Sequence, residues 1–237
     1  ETGLTALLGS PVAHSISPLM HNESFRLLGL DYVYLCFDVN EETLPAAVAG
    51  LKTCGIRGFN LTMPNKNKIV ELLDELSPEA QLIGAVNTVL NDNGKLIGYN
   101  TDGYGFMQSV RDAGHDITGK NITVMGVGGA SMAICAQSAL DGAASVHIFA
   151  RRTSRYWNRT QKFAENLSAK TGCQVCLFDN DDHTALRDSI AQSYLLINAT
   201  SVGMVPDIDD TIIKDTSLFH PELVCLLYTS PSPRDGL

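Results

Sequence analysis

Positive charge is scarce in this chain. It carries 17 Lys and Arg against 26 Asp and Glu, a formal net charge of −9, and the basic residues nowhere form a block. Such a surface repels a phosphate backbone, which argues against nucleic acid as the main partner. Long apolar runs are lacking too. None approaches the roughly 20 residues needed to span a bilayer, so no membrane partner is expected. No signal peptide is visible in a chain that starts at Glu1 rather than Met. Cysteine is sparse and scattered, at Cys36, Cys54, Cys135, Cys173, Cys176 and Cys225. In a chain of this length that pattern reads as reduced thiols in the cytoplasm, not as a disulfide framework. Cys173 and Cys176 have CxxC spacing, but no second Cys/His pair stands at zinc-ligand spacing, and residues i and i+3 of a strand point to opposite faces. No metal is assigned.

What is present is a glycine turn in a telling context. Val124-Met-Gly-Val-Gly-Gly-Ala-Ser131 follows the β-prone run Asn121 to Met125 and opens onto the helix-prone run Met132 to Leu140. The β-prone run Ser145 to Ala150 comes next. Strand, glycine turn, helix and strand within about 30 residues form the setting a dinucleotide-binding fingerprint requires. Gly126 permits the tight turn, and Gly128 lets the backbone approach a pyrophosphate. Gly129, Ala130 and Ser131 start the helix whose N–H groups face that anion. Ser131 stands where Gly or Ala is usual. The plainer reading, a turn that only links strand to helix, is weaker in this context.

The 237 residues suffice for one large or two modest domains, and 44% apolar with 18% charged residues describes an ordinary globular protein. Strands are expected at Leu4 to Leu8, Tyr32 to Val39 and Gly58 to Thr62, with helices after Pro18, over Glu42 to Cys54 and over Asn67 to Leu76. Ala85 to Leu90 and Lys95 to Asn100 flank Asn91-Asp-Asn-Gly94 and read as a hairpin. A new strand–helix alternation begins after Gly103, so one domain is placed at 1–103 and a Rossmann-type domain at 104–225. The fold class is α/β with largely parallel sheets. Polar residues collect at strand ends in the first domain: Ser15 and Ser17, Thr62 and Lys66, Asn87, and Asn100-Thr-Asp102. Each alone has an ordinary reading, as a helix cap, a solvated lysine or a turn residue. Together they stand where open α/β sheets hold ligands.

These segments resemble one family. Gly9-Ser-Pro-Val-Ala-His-Ser-Ile-Ser-Pro-Leu-Met-His-Asn22, Gly58-Phe-Asn-Leu-Thr-Met-Pro-Asn-Lys66, Gly84-Ala-Val-Asn-Thr-Val89, Gly98-Tyr-Asn-Thr-Asp-Gly103, the turn at 126–131 and Asn198-Ala-Thr-Ser-Val-Gly-Met204 are similar, in order, to motifs of the shikimate dehydrogenases, including the quinate/shikimate branch. The resemblance implies reversible hydride transfer between NAD(P)H and the ring ketone of 3-dehydroshikimate, within aromatic amino-acid biosynthesis. It implies a substrate-binding first domain with Lys66 and Asp102 as the catalytic pair. Lys66 would protonate the developing alkoxide, and Asp102 would hydrogen-bond Lys66 and a substrate hydroxyl. Ser15 and Ser17 would bind the substrate carboxylate, Thr62 and Asn87 the ring hydroxyls, and Thr200 and Met204 the nicotinamide side.

Cofactor choice can be read without the family. An NAD site places a carboxylate at the end of its second strand. Here that strand ends at Ala150 and is followed by Arg151 and Arg152, which suit a 2′-phosphate. NADP is therefore expected over NAD, although Ala150 replaces the family's usual Asn and the quinate/shikimate branch also uses NAD. Family members continue past Val224 with further helices, one of which supplies a substrate-binding glutamine. Leu227-Tyr-Thr-Ser-Pro-Ser-Pro-Arg-Asp-Gly-Leu237 does not match them. The expectation is a chain cut near Cys225, with 226–237 a foreign or disordered tail and a fold less stable than an intact member. Two other functions stay open: a quinate/shikimate dehydrogenase using NAD, and a nucleotide-binding module without catalysis. The oligomeric state, monomer or homodimer, is not legible.

Overall fold

The structure, a computed structural model, describes residues 2–203 and 208–227. The chain divides into two compact units, Glu1–Thr101 and Asp102–Leu237.

The first unit runs β1 (Gly3–Gly9), α1 (Ser17–Leu27), β2 (Tyr32–Asp38), α2 (Leu44–Thr53), β3 (Gly58–Leu61), a 3-10 turn (Lys68–Leu72), β4 (Glu75–Leu76), α3 (Pro78–Ile83), β5 (Thr88–Asp92) and β6 (Lys95–Tyr99). Its sheet has the order β2-β1-β3-β5-β6-β4. β1 pairs in parallel with β2 and β3, but β5 pairs antiparallel with both β3 and β6. The sheet is therefore mostly parallel, with β4 also parallel to β6, and β5 is its antiparallel member. The reversal lies at Asn93 and Gly94, both with positive φ (51° and 92°), which makes the tight hairpin the sequence predicted.

The helix expected over Asn67 to Leu76 does not form. A 3-10 turn ends at Leu72, and Leu73 is extended. Asp74 then docks on β6, its N–H donating to the Leu96 carbonyl at 3.0 Å and its carboxylate accepting from the Leu96 N–H at 2.7 Å. Those two bonds pull Glu75 and Leu76 into the sheet beside Ile97 and Gly98. The apolar spacing fits a helix, but tertiary pairing overrides it. α3, which the sequence reading passed over, carries ordinary helix signals. Ser77 Oγ caps the Ala80 N–H, Pro78 takes the first turn and Gly84 closes the helix in the left-handed region.

One face of this sheet holds the core: Ala6, Leu8, Phe59, Leu61, Val89 and Leu96 pack with Leu44 and Val48 of α2. On the other face Leu7, Val12 and Tyr34 are joined by Phe25 of α1. β2 is a terminal strand, and Asn22 of α1 lies along it. The Asn22 carboxamide accepts from the Tyr34 N–H at 2.8 Å and donates to the Tyr34 carbonyl at 2.9 Å.

The second unit runs α4 (Asp102–Asp112), β7 (Asn121–Met125), α5 (Gly129–Leu140), β8 (Ser145–Ala150), α6 (Trp157–Thr171), β9 (Gln174–Asp179), α7 (His183–Gln192), β10 (Leu195–Asn198) and β11 (Val224–Leu227), with one more 3-10 turn at Thr216–Leu218. Its sheet, β11-β10-β7-β8-β9, is parallel throughout. The strands are nearly continuous apolar runs, as a parallel sheet covered on both faces requires. α5 is buried from Ser131 through Ala139. β11 carries the pairing two residues past the boundary expected at 225, with Leu226 beside Ile197 and Leu227 beside Asn198. The rest of the expected tail, 228–237, lies outside the described residues. Among those residues no helix is long and apolar enough to cross a membrane.

Two glycines of α4 have opposite settings. A Cβ on Gly103 would stand 2.2 Å from the Ala133 carbonyl oxygen of α5, while one on Gly105 would meet nothing within 4 Å. Gly103→Ala is expected to destabilise the protein by about 1–3 kcal/mol through overpacking. Gly105→Ala is expected to stabilise it by up to about 1 kcal/mol, because Ala is the better helix former. Denaturant unfolding of the two variants should move in opposite directions.

Candidate functional site

The loops that leave β1 and β3 are tied together by main-chain bonds. Ser10 N–H donates to the Met63 carbonyl at 2.9 Å, and Thr62 N–H to the Leu8 carbonyl at 3.0 Å. Their approach is close enough to require glycine at Gly9, where a Cβ would stand 2.2 Å from Thr62 Cγ2. Asn65, fully buried, donates from Nδ2 to the Val39 carbonyl at 2.7 Å. Its neighbour Lys66 is half-buried and accepts at its carbonyl from the Val86 N–H at 2.8 Å. Asn87 follows directly, its carbonyl bonded to the Leu61 N–H at 2.8 Å and its N–H to the Tyr99 carbonyl at 3.0 Å. Thr62, Lys66 and Asn87 are thus brought to one end of the central strands β3 and β5.

The Asn87 side chain is oriented by its neighbours. Oδ1 accepts from the Thr101 N–H and from Thr88 Oγ1, both at 3.0 Å, and Nδ2 donates to Thr101 Oγ1 at 3.0 Å. Ser15 and Ser17 lie on the connection that leaves the same end of β1. Ser15 Oγ accepts from the Ser17 N–H at 3.2 Å, the turn that starts α1, and its O–H can still donate. Asp102 is the first residue of α4, where a carboxylate complements the positive end of the helix. One polar side chain on the sheet was passed over in the sequence. Asn60 sits mid-strand between the buried Phe59 and Leu61, and that placement was its signal.

In the second unit the glycine turn joins β7 to α5. Gly126 has φ +109°, and a Cβ there would stand 2.8 Å from the Ala199 carbonyl oxygen and 2.9 Å from Thr200 Cγ2. Ser131 fills the third small-residue position for a local reason: its hydroxyl donates to the Gly126 carbonyl at 2.6 Å and closes the turn. Gly128 precedes the helix in extended conformation, and Gly129 and Ala130 form its first turn without a side-chain cap. A Cβ on Gly128 or Gly129 would meet nothing within 4 Å. Open space over an uncapped helix N-terminus fits a dinucleotide's pyrophosphate. Thr200 is held by Asn198, to whose Oδ1 it donates from Oγ1 at 2.6 Å and from its N–H at 3.0 Å. Met204 lies outside the described residues.

Arg151 and Arg152 follow β8, both exposed. The Arg152 guanidinium lies 5.1 Å over the Trp157 ring, a contact the sequence could not show, and Arg151 has no such stack among the described residues. Gly126→Ala is expected to cost about 1–3 kcal/mol, since it combines a strained φ with two close contacts. Gly128→Ala should cost clearly less, and a pair of melting curves separates the two.

A family model described as the shikimate dehydrogenase substrate binding domain matches residues 7–89. A protein of Listeria innocua named shikimate dehydrogenase (NADP(+)) is 48% identical over 224 residues, covering 94% of this chain and 77% of that protein. A crystal structure of shikimate 5-dehydrogenase from Listeria monocytogenes, in complex with shikimate and NAD, superposes with a TM-score of 0.93 at 47% identity, covering 95% of this chain and 78% of that one. Quinate dehydrogenase from Corynebacterium glutamicum, in complex with NAD, has a TM-score of 0.81 at 27% identity, covering 94% of this chain and 79% of that one. With nearly half the residues shared over almost the whole of its length, the chain belongs to the shikimate dehydrogenase family.

Proposed function

We propose that this protein catalyses the reversible NADP-dependent reduction of 3-dehydroshikimate to shikimate. The observation that carries the reading is the Val86–Lys66 main-chain bond, which sets Lys66 and Asn87 at one end of the central strands in a member of this family. When bound, the reduced nicotinamide supplies the hydride. The protein's part is to orient the ring and deliver a proton. Lys66 gives that proton to the oxygen of the former ketone, and its charge steadies the alkoxide as it forms. Asp102 orients a substrate hydroxyl. Ser15 and Ser17 donate to the substrate carboxylate, and Thr62 and Asn87 bind ring hydroxyls. Gly126, Gly128, Gly129, Ala130 and Ser131 form the pyrophosphate turn, and Thr200 and Met204 serve the nicotinamide side.

Arg151 and Arg152 are the groups proposed for the 2′-phosphate, and they need not share the task equally. Arg152 is partly committed to Trp157, so Arg151 is the principal 2′-phosphate ligand in this reading. The commitment of Arg152 also favours a second reading, in which NAD is accepted and quinate competes with shikimate. Free thiols at all six cysteines suit the cytoplasm. A monomer or homodimer is proposed, which sedimentation would distinguish.

The deciding experiment follows nicotinamide absorbance with shikimate and quinate, each offered NADP and NAD. Highest kcat/KM with shikimate and NADP supports the first reading, and highest with quinate and NAD the second. Cofactor binding without turnover in any pair leaves only a nucleotide-binding module. Lys66→Ala is expected to lower kcat by about 10²- to 10⁴-fold, the usual contribution of a positioned acid, with a modest change in shikimate affinity. Near-normal turnover would remove Lys66 from the chemistry. Arg151→Ala should cut the preference for NADP over NAD by more than Arg152→Ala does, as the ratio of kcat/KM values reports.

A further inference from the structure

One face of the first sheet carries a series of hydrogen bonds that starts on β2 and reaches Asn87, beside β5, across β1 and β3. The register sets Leu7 beside both Cys36 and Asn60, and Asn60 beside Thr88. Alternation along β2 puts Tyr34 on the same face as Cys36. The Tyr34 phenol crosses β1 at Thr5 to β3, where the neighbouring Gly58 has no side chain, and its Oη–H donates to Asn60 Oδ1 at 2.8 Å. Asn60 Nδ2 donates to Thr88 Oγ1 at 3.0 Å and to the Asn87 carbonyl at 3.2 Å. Thr88 Oγ1 donates in turn to Asn87 Oδ1.

The donors fix the sense of the whole series. The Asn87 main-chain carbonyl can only accept, so the Asn60 amide faces it and Thr88, and the Asn60 oxygen is left to accept from the Tyr34 phenol. An amide N–H can only donate, so Thr88 accepts there and its own proton is left for Asn87 Oδ1. With its oxygen held on that side, the Asn87 amide faces the other way. Tyr34 is well fixed for the part. It is 3% exposed, its ring stacks on His21 at 4.3 Å and 18°, and its N–H and carbonyl are both held by Asn22. Burial, and next the neighbouring Cys36, push its pKa well above the ordinary 10.0, so the phenol remains a neutral donor at any working pH.

We infer that Tyr34 and Asn60 are positioning residues for substrate recognition, which act together with the Thr101 N–H to hold the Asn87 carboxamide in the orientation that binds the substrate's ring hydroxyls. The inference rests on the role proposed above for Asn87. Without the Thr88 hydroxyl on Oδ1 the carboxamide is less firmly set to present its N–H to the substrate, although the Thr101 N–H still holds that oxygen. A network that merely fastened the strands would weaken shikimate and cofactor binding alike, through loss of the fold.

The test measures shikimate affinity, NADP affinity and melting temperature for the unaltered chain, Tyr34→Phe, Asn60→Asp, Asn87→Ala and the Tyr34→Phe/Asn87→Ala double variant. Tyr34→Phe keeps the ring and its stack on His21. The expected loss of shikimate affinity is about threefold to tenfold, the worth of one hydrogen bond. Asn60→Asp should lose at least as much, because its carboxylate draws the Thr88 hydroxyl off Asn87. NADP affinity should change by less than about twofold in both, within the net range of a hydrogen bond left in place. In the double variant the Tyr34→Phe effect should disappear, since it acts through Asn87. The inference is overturned, with the role of Asn87 intact, if Asn87→Ala loses affinity while Tyr34→Phe and Asn60→Asp keep it. The same holds if the Tyr34→Phe loss persists in the double variant or falls equally on NADP. Unchanged affinity in Asn87→Ala would overturn the role of Asn87, and absence of shikimate binding by the unaltered chain would overturn the proposed function; either removes the inference with it.

Discussion

The bond from the Val86 N–H to the Lys66 carbonyl is the constraint on which the substrate side of this protein depends. The pairing of β3 with β5 holds Asn87 against Leu61, but Lys66 lies beyond the end of β3, where that pairing does not reach. The Val86–Lys66 bond reaches it through main-chain atoms. Ser10–Met63 and Leu61–Asn87 bonds repeat the device on either side. Loops carry chemistry well only when a scaffold holds them, and here the scaffold extends into the loops themselves. The main chain at this end of the strands is therefore held by bonds that do not pass through the side chains.

The second unit reaches the same end by a different route. Its turn is held by exclusion: Gly126 is wedged beneath Ala199 and Thr200, and Ser131 ties the helix start back to the Gly126 carbonyl. Asn198 in turn shapes the loop that presses on Gly126, through its bonds to Thr200 and Val202. A loop after β10 and a turn after β7 are thus one packed object, although more than 70 residues separate Gly126 from Thr200. Gly128 and Gly129 stay open beside it, so rigidity and vacancy meet within three residues.

Much of this was legible in the sequence, and the exceptions share a cause. The glycine turn, the Asn93-Gly94 hairpin and the two-unit division into α/β alternations all follow from residues close together in the chain. Helix was misread over Asn67 to Leu76 because Ile69, Val70, Leu72, Leu73 and Leu76 keep helical spacing, while the deciding partner of Asp74 is Leu96. The distinction between Arg151 and Arg152 depends on where the Trp157 ring falls. Asn60 could be seen as a polar residue in an apolar strand, but its link to Tyr34 needs the order β2-β1-β3. What failed to show, in each case, was a partner fixed by tertiary pairing. The roles of the site residues rest on family resemblance, and local pattern alone would have left Lys66 among the solvated lysines.

Asn22 serves more than the placement of Tyr34. β2 ends the first sheet, and a terminal strand offers its unpaired N–H and carbonyl groups to any extended segment that drifts alongside. The Asn22 carboxamide, an acceptor and a donor side by side, copies the hydrogen-bonding face of a peptide unit and occupies both main-chain groups of Tyr34. A helix side chain thereby stands in for the missing neighbour strand at the middle of β2. The middle of this outer strand is thus already paired, by a side chain of the same chain.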